Sequence, residues 1–114
     1  MLARAIAILE ASCEIVGTAT NGDLAVEMAL ALHPDVIVLD ISMPGRNGLE
    51  VAAAVRGRGL TTAIVFVSAH DDQEFVDVAR AAGGLAYVLK PRLSTDLAAA
   101  VIAASRGRPT FAEP

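Results

Sequence analysis

The chain alternates between two hydrophobic patterns, one with helical spacing and one made of short, nearly continuous apolar runs. Apolar residues recur every three or four positions in five stretches, which predicts helices at 2–12, 23–33, 47–57, 70–82 and 94–105. Apolar runs rich in β-branched residues predict strands at 13–19, 35–40, 62–68 and 85–89. The predicted order is therefore α-β-α-β-α-β-α-β-α.

Strict alternation of helices and strands with short connections is typical of right-handed βαβ units. The sequence therefore predicts an α/β fold in which a parallel sheet carries helices on both faces. It contains neither a G-x-G-x-x-G nor a G-x-x-x-x-G-K-[ST] motif, which argues against a dinucleotide-binding fold and a P-loop.

Size and charge narrow the class of protein further. The 114 residues suffice for one domain with a single core. A formal net charge of −4 argues against a nucleic-acid surface, which needs clustered Lys and Arg. The apolar runs are too short for a membrane span. Cys13 is the single cysteine, which excludes an internal disulfide and favours a cytoplasmic protein.

Three polar residues end three predicted strands: Asp40, Ser68 and Lys90. Because the carboxyl ends of parallel strands lie side by side, we expect them to converge on one crevice. Taken alone, Asp40 is a phosphate acceptor, a metal ligand or a helix cap, while Ser68 could simply end a strand and Lys90 be solvated. The trio favours the first alternative, because a carboxylate attacks a phosphoryl group while an ammonium and a hydroxyl bind its oxygens.

The segments around these residues resemble a known family. They are Leu39-Asp40-Ile41-Ser42-Met43-Pro44, Asn47-Gly48-Leu49, Val67-Ser68-Ala69, Ala82-Gly83 and Ala86-Tyr87-Val88-Leu89-Lys90-Pro91. In sequence and in spacing they are similar to the receiver domain of two-component response regulators of the NarL/LuxR type. The resemblance covers residues 1–105 and implies a flavodoxin-like (CheY-like) three-layer α/β/α fold. Residues 106–114 resemble a linker stub.

The resemblance also implies roles for individual residues. Asp40 corresponds to the phosphoacceptor, Lys90 to the phosphoryl-binding ammonium and Ser68 to the switch hydroxyl. Tyr87 corresponds to the switch aromatic whose ring moves with that hydroxyl. The family binds Mg²⁺ at this site, where Asp40 and the backbone carbonyl of Ser42 would be ligands.

One departure from the family pattern concerns the metal. Receiver domains open with an apolar strand that ends in two acidic Mg²⁺ ligands, whereas this sequence begins at Met1 inside the predicted first helix. We therefore expect an N-terminally truncated receiver that lacks the first strand and has an incomplete metal site. The remaining strands would have an unpaired edge beside a gap in the core.

The leading hypothesis is a regulatory module rather than an enzyme. A sensor histidine kinase phosphorylates Asp40, and the face formed by residues 70–105 changes its affinity for a partner or a second copy. Output is expected to be transcription control through a DNA-binding domain outside this chain. The alternative is a pseudo-receiver that binds partners without phosphorylation. A third interpretation, a phosphatase-type hydrolase, would need a second acid where Ser42 stands.

Overall fold

The computed structural model describes residues 2–42 and 44–111 and forms a three-stranded sheet covered by helices. Met43 and residues 112–114 of the predicted linker lie outside the described residues. The elements in chain order are α1 (Leu2–Leu9), α2 (Gly22–Leu32), β1 (Val36–Asp40), α3 (Gly48–Gly57), β2 (Ala63–Ser68), α4 (Gln73–Ala81), β3 (Ala86–Leu89), a short 3₁₀ helix (Lys90–Arg92) and α5 (Leu93–Ser105). All five predicted helices and three of the four predicted strands are confirmed.

The three strands run parallel in the order β1-β2-β3. Val67 of β2 lies opposite Asp40 of β1 and Val88 of β3. The carboxyl ends of all three strands therefore lie side by side, and we call this end of the sheet its carboxyl edge. Asp40, Ser68 and the start of the 3₁₀ helix meet there.

Successive side chains of β2 point to opposite faces of the sheet and lie at the centre of two hydrophobic clusters, one on each face. Ile64 and Phe66 face α2, α3 and α4, whereas Val65 and Val67 face α1 and α5. All four side chains are fully buried, because a central parallel strand is covered on both faces. The predicted three-layer α/β/α architecture is confirmed.

Two helix starts differ from the sequence prediction. α4 begins at Gln73 rather than at residue 70, and the Asp72 side chain at its N-cap makes no capping hydrogen bond within the described structure. α5 begins at Leu93 rather than at residue 94, since the preceding 3₁₀ turn leads directly into it. None of the described helices is both long enough and apolar enough to cross a bilayer.

The predicted strand at 13–19 is wrong. Residues 14–18 are exposed, and the segment 14–19 forms no backbone hydrogen bond within the described part of the chain. Strand conformation depends on a neighbour to pair with, and among the described residues β1 pairs with β2 alone. A cavity of about 540 Å³, lined mainly by α1, α2, α5, β1 and the segment 12–19, occupies the space beside the free edge of β1.

The rim of this cavity carries most of the exposed large hydrophobic residues. Five of the seven in the described chain line it, namely Leu2, Ile15, Val16, Leu32 and Ile102. An apolar groove beside an unpaired strand edge favours association between copies. The isolated chain is therefore expected to self-associate.

Analytical ultracentrifugation tests this with a matched pair of substitutions. Val16→Asp, at the rim, should shift the chain toward monomer, whereas Val78→Asp, similarly exposed on α4 and outside the groove, should not. A monomeric wild-type chain with a sharply cooperative thermal transition would contradict the prediction. So would dissociation caused by Val78→Asp alone, which would assign the contact to the 70–105 face.

Candidate functional site

Asp40 and Lys90 form an ion pair at the carboxyl edge of the sheet. Asp40 ends β1, and Lys90 is the first residue after β3. Lys90 Nζ lies 2.9 Å from Asp40 Oδ2 although β2 stands between the two strands. The Asp40 side chain is 13% exposed and that of Lys90 34%. The structure thus brings two of the predicted site residues into direct contact, in a place that solvent still reaches.

The Asp40 carboxylate is also held by the loop that follows it. The backbone N–H of Ser42 donates to Asp40 Oδ1 at 3.0 Å. Asp40 does not cap α3, because Asn47 does so in a capping box with Glu50. The helix-cap interpretation of Asp40 is therefore wrong, and its carboxylate is available for other chemistry.

Gly48 allows α3 to begin directly against the end of β1. Its N–H donates to the carbonyl of Ile41 at 3.1 Å. A Cβ at this position would lie 2.5 Å from the backbone oxygen of Asp40. Glycine is thus required at this close approach, and it fixes the short loop that follows Asp40.

Ser68 ends the central strand, between the two members of the ion pair. It lies opposite Leu89, the residue before Lys90, and its side chain is buried. Its Oγ accepts the backbone N–H of His70 at 3.0 Å. Ser68 therefore lies at the same sheet edge as Asp40 and Lys90, with its hydroxyl engaged by the β2–α4 loop.

Tyr87 points its ring into the core and its hydroxyl toward the same loop. The hydroxyl donates to the backbone carbonyl of His70 at 2.6 Å. Burial raises the pKa of the Tyr87 phenol; the nearby Ser68 hydroxyl opposes this shift, and the charges of Asp72 and Asp71 add to it. The phenol thus remains a neutral donor, and Tyr87 and Ser68 both bond to His70.

His70 takes part in this site although its sequence context did not predict it. Its backbone N–H and carbonyl bind Ser68 and Tyr87, and its ring stacks on Phe75 of α4 with centroids 4.3 Å apart. A backbone acceptor has no sequence signature, because every residue type supplies the same carbonyl. The position of His70 two residues after Ser68 was the only available signal.

The described residues do not make a Mg²⁺ site. Within residues 2–42 and 44–111, no three His, Cys, Asp or Glu side chains cluster to hold a metal. Asp40 and the carbonyl of Ser42 would supply at most a few of the roughly six oxygen ligands that Mg²⁺ requires.

Comparison with known protein families identifies the kind of domain that carries this site. Residues 1–102 match the model of the response regulator receiver domain. The chain belongs to this family. Receiver domains of the NarL/LuxR type are signalling modules of two-component systems whose relatives regulate transcription.

Individual relatives agree with this assignment. A transcriptional regulatory protein NarL of Mycobacterium tuberculosis is 39% identical over 104 residues, which are 91% of this chain and 48% of the relative. The nitrate/nitrite response regulator NarL of Escherichia coli is 38% identical over 99 residues, covering 87% of this chain and 46% of the relative. The chain thus spans about half the length of the curated relatives it matches.

Solved structures place the fold in the same family. The signal receiver domain of a response regulator NarL from Mycobacterium tuberculosis superposes with a TM-score of 0.86 at 38% identity, covering 91% of this chain and 86% of that one. A LuxR-family DNA-binding response regulator from Staphylococcus aureus gives 0.80 at 27% identity, covering 92% of each chain. The flavodoxin-like receiver fold is therefore shared although the described residues form only three strands.

Proposed function

We propose that this receiver is a cytoplasmic module that accepts a phosphoryl group on Asp40 from a sensor histidine kinase and uses it to change a partner-binding face. The observation that carries the proposal is the Asp40–Lys90 pair, 2.9 Å apart at the carboxyl edge of a parallel sheet. A carboxylate beside a fixed ammonium combines a nucleophile with a cation for the incoming phosphoryl oxygens.

The proposed reaction is an in-line displacement at phosphorus. One Asp40 carboxylate oxygen forms the new O–P bond while the P–N bond to the donor imidazole breaks. The bonding electron pair leaves with the imidazole nitrogen, and Asp40 becomes an acyl phosphate. Lys90 Nζ, now 2.9 Å from Asp40 Oδ2, would turn its charge to the transferred oxygens.

Ser68 and Tyr87 would carry the signal away from the site. The Ser68 hydroxyl now accepts the His70 N–H. Rotation of this side chain to donate to a phosphoryl oxygen would move its oxygen away from His70 and so break that bond. The face formed by residues 70–105 would then change its affinity for a partner or a second copy. In this proposal residues 1–105 are the receiver, residues 106–114 connect it onward, and a DNA-binding domain outside this chain controls transcription.

The phosphoryl transfer to Asp40, as proposed, assigns no role to Mg²⁺, although the family resemblance implies one. Asp40 and the carbonyl of Ser42 are the ligands that the resemblance implies, and no cluster of three His, Cys, Asp or Glu side chains accompanies them within the described residues. This incomplete cation site favours a second candidate function, a pseudo-receiver that binds its partners without phosphorylation. Under that alternative, the Asp40–Lys90 pair is a structural contact.

Incubation with acetyl phosphate, in parallel with Mg²⁺ and with EDTA, separates the two functions. We expect intact mass spectrometry to find one added phosphoryl group in the Mg²⁺ arm. A mass gain in the Mg²⁺ arm alone would mean that ligands beyond the described residues complete a cation site. A gain in both arms would mean that Lys90 is a sufficient cation for the phosphoryl oxygens. No gain in either arm by a folded chain would contradict the phosphoacceptor and favour the pseudo-receiver.

A further inference from the structure

The segment 106–111, here called the tail, folds back onto the sheet. α5 ends in a turn in which Gly107 has φ +73° and the Arg108 N–H donates to the carbonyl of Ala103 at 2.9 Å. Glycine adopts this left-handed conformation with little steric cost, as at many helix ends. The turn sends the following residues toward β3.

The tail then pairs with the outer edge of β3. The Thr110 N–H donates to the carbonyl of Leu85 at 2.8 Å, and Thr110 forms a parallel bridge with Ala86. Ala86 is the direct neighbour of Tyr87. An edge strand has unpaired backbone groups that attract another strand, and here the tail covers part of that edge.

The end of the tail is anchored on α4. The half-buried Phe111 packs against the core cluster that contains Ala79 and Tyr87. The guanidinium of Arg80 lies over its ring, 4.4 Å from the centroid, within the range of a cation–π contact. The carboxyl end of α4 is therefore fastened to the tail.

Apart from this anchor α4 is lightly packed, with Phe75 and Val76 half-buried against the same core cluster. Of the described residues of this helix, Ala79 alone is buried. Its amino-terminal half touches the β2–α4 loop, because the ring of Phe75 stacks on that of His70. The carbonyl of His70 in turn accepts a hydrogen bond from the Tyr87 hydroxyl. α4 thus contacts His70, the partner of Tyr87, near its amino end and the tail at its carboxyl end.

We propose that the tail is a clamp that holds α4 in the position in which Tyr87 bonds to His70, and that it loosens when Ser68 and Tyr87 rearrange. The second part rests on the proposed function. Coupling between two sites through a shared element is reciprocal. Breaking the Tyr87–His70 bond therefore loosens the tail, and removing the tail's anchor alters the surroundings of Tyr87.

Amide hydrogen exchange in the unphosphorylated chain tests the first direction. Tyr87→Phe removes the hydroxyl that bonds to His70, and we expect exchange of the Thr110 amide to speed up by roughly fivefold or more. The amide of His33, bonded to the carbonyl of Ala29 at the end of α2, is the reference and should not change. Arg108→Ala, which alters an exposed side chain of the tail, is the matched control and should leave Thr110 exchange at the wild-type rate.

Tyrosine fluorescence tests the reverse direction. Tyr87 is the only tyrosine and the sequence has no tryptophan, so quenching by acrylamide reports this side chain alone. Phe111→Ala should raise the quenching constant by roughly twofold or more, whereas Arg108→Ala should not. Gly107→Ala, which strains the turn without touching the core, is a second variant should Phe111→Ala fold poorly.

Limited proteolysis of the phosphorylated chain tests whether phosphorylation releases the tail from β3 and α4. Trypsin cleavage after the exposed Arg106 should be faster in protein whose labelling has been verified by intact mass. Labelling without faster cleavage would overturn release by phosphorylation and leave the phosphoacceptor intact. Failure of labelling would count against the proposed function, while the variants still decide on the clamp. Unchanged Thr110 exchange in Tyr87→Phe, or unchanged quenching in folded tail variants, would overturn the clamp itself.

Discussion

Asp40→Asn is expected to take up no phosphoryl group under conditions that label the unchanged chain. An amide lacks the anionic oxygen that attacks phosphorus, so no acyl phosphate forms. The fold should persist, because Asn is nearly isosteric and its oxygen can still accept the Ser42 N–H. Lys90 loses its partner but is 34% exposed and can be solvated, so the free energy of unfolding should change by about 1 kcal/mol or less.

The measurement is intact mass after incubation with acetyl phosphate, with thermal unfolding followed on the same samples. Asp35→Asn is the matched control, because Asp35 is an exposed carboxylate directly before the other end of β1. It should be labelled like the wild type. Retained labelling of the Asp40→Asn chain would move the acceptor to another residue.

Phe66→Ala should have the largest effect on stability. Phe66 is fully buried in the middle of the central strand. A Cβ added at Gly84 would lie 2.6 Å from its ring, so the backbone packs directly against the ring. Removing such a ring leaves a cavity and costs about 3–5 kcal/mol, a large part of the roughly 5–15 kcal/mol that stabilises a domain of this size.

Urea unfolding followed by circular dichroism measures this loss. Phe66→Leu keeps most of the buried volume and should cost clearly less than Phe66→Ala. Phe75→Ala, at a half-buried position on α4, is a second comparison and should also cost less. A loss below about 1 kcal/mol for Phe66→Ala would mean that the core around Gly84 collapses to fill the space.

The fold class could be predicted because most elements of this chain carry a local signal. The spacing of Leu24, Met28 and Leu32 predicts α2, and the run at 62–68 predicts β2 within one residue. Burial on both faces of a parallel sheet needs continuous apolar strands, and burial of one helix face needs a repeat near 3.6. These requirements leave their mark in the sequence wherever a segment packs.

The pairing of Asp40 with Lys90 followed from topology rather than from either residue alone. Once the strands are parallel, their carboxyl ends must meet, and the ion pair lies at that edge. The contacts of Ser68 and Tyr87 with His70 could not be predicted in this way. They use backbone groups of a loop whose path depends on where α4 packs.

The sequence by itself determined the βαβ alternation, the five helices, the three buried strands and the residues at their ends. Only the tertiary structure decided that residues 14–19 pair with no strand among the described residues, and that the tail pairs with β3. The physical reason is that side-chain patterns record which faces are buried, whereas backbone pairing depends on a partner far away in sequence. The segment 14–19 has the hydrophobic pattern of a strand but pairs with none of the residues that the structure describes, whereas the tail pairs with β3 although its sequence lacks that pattern.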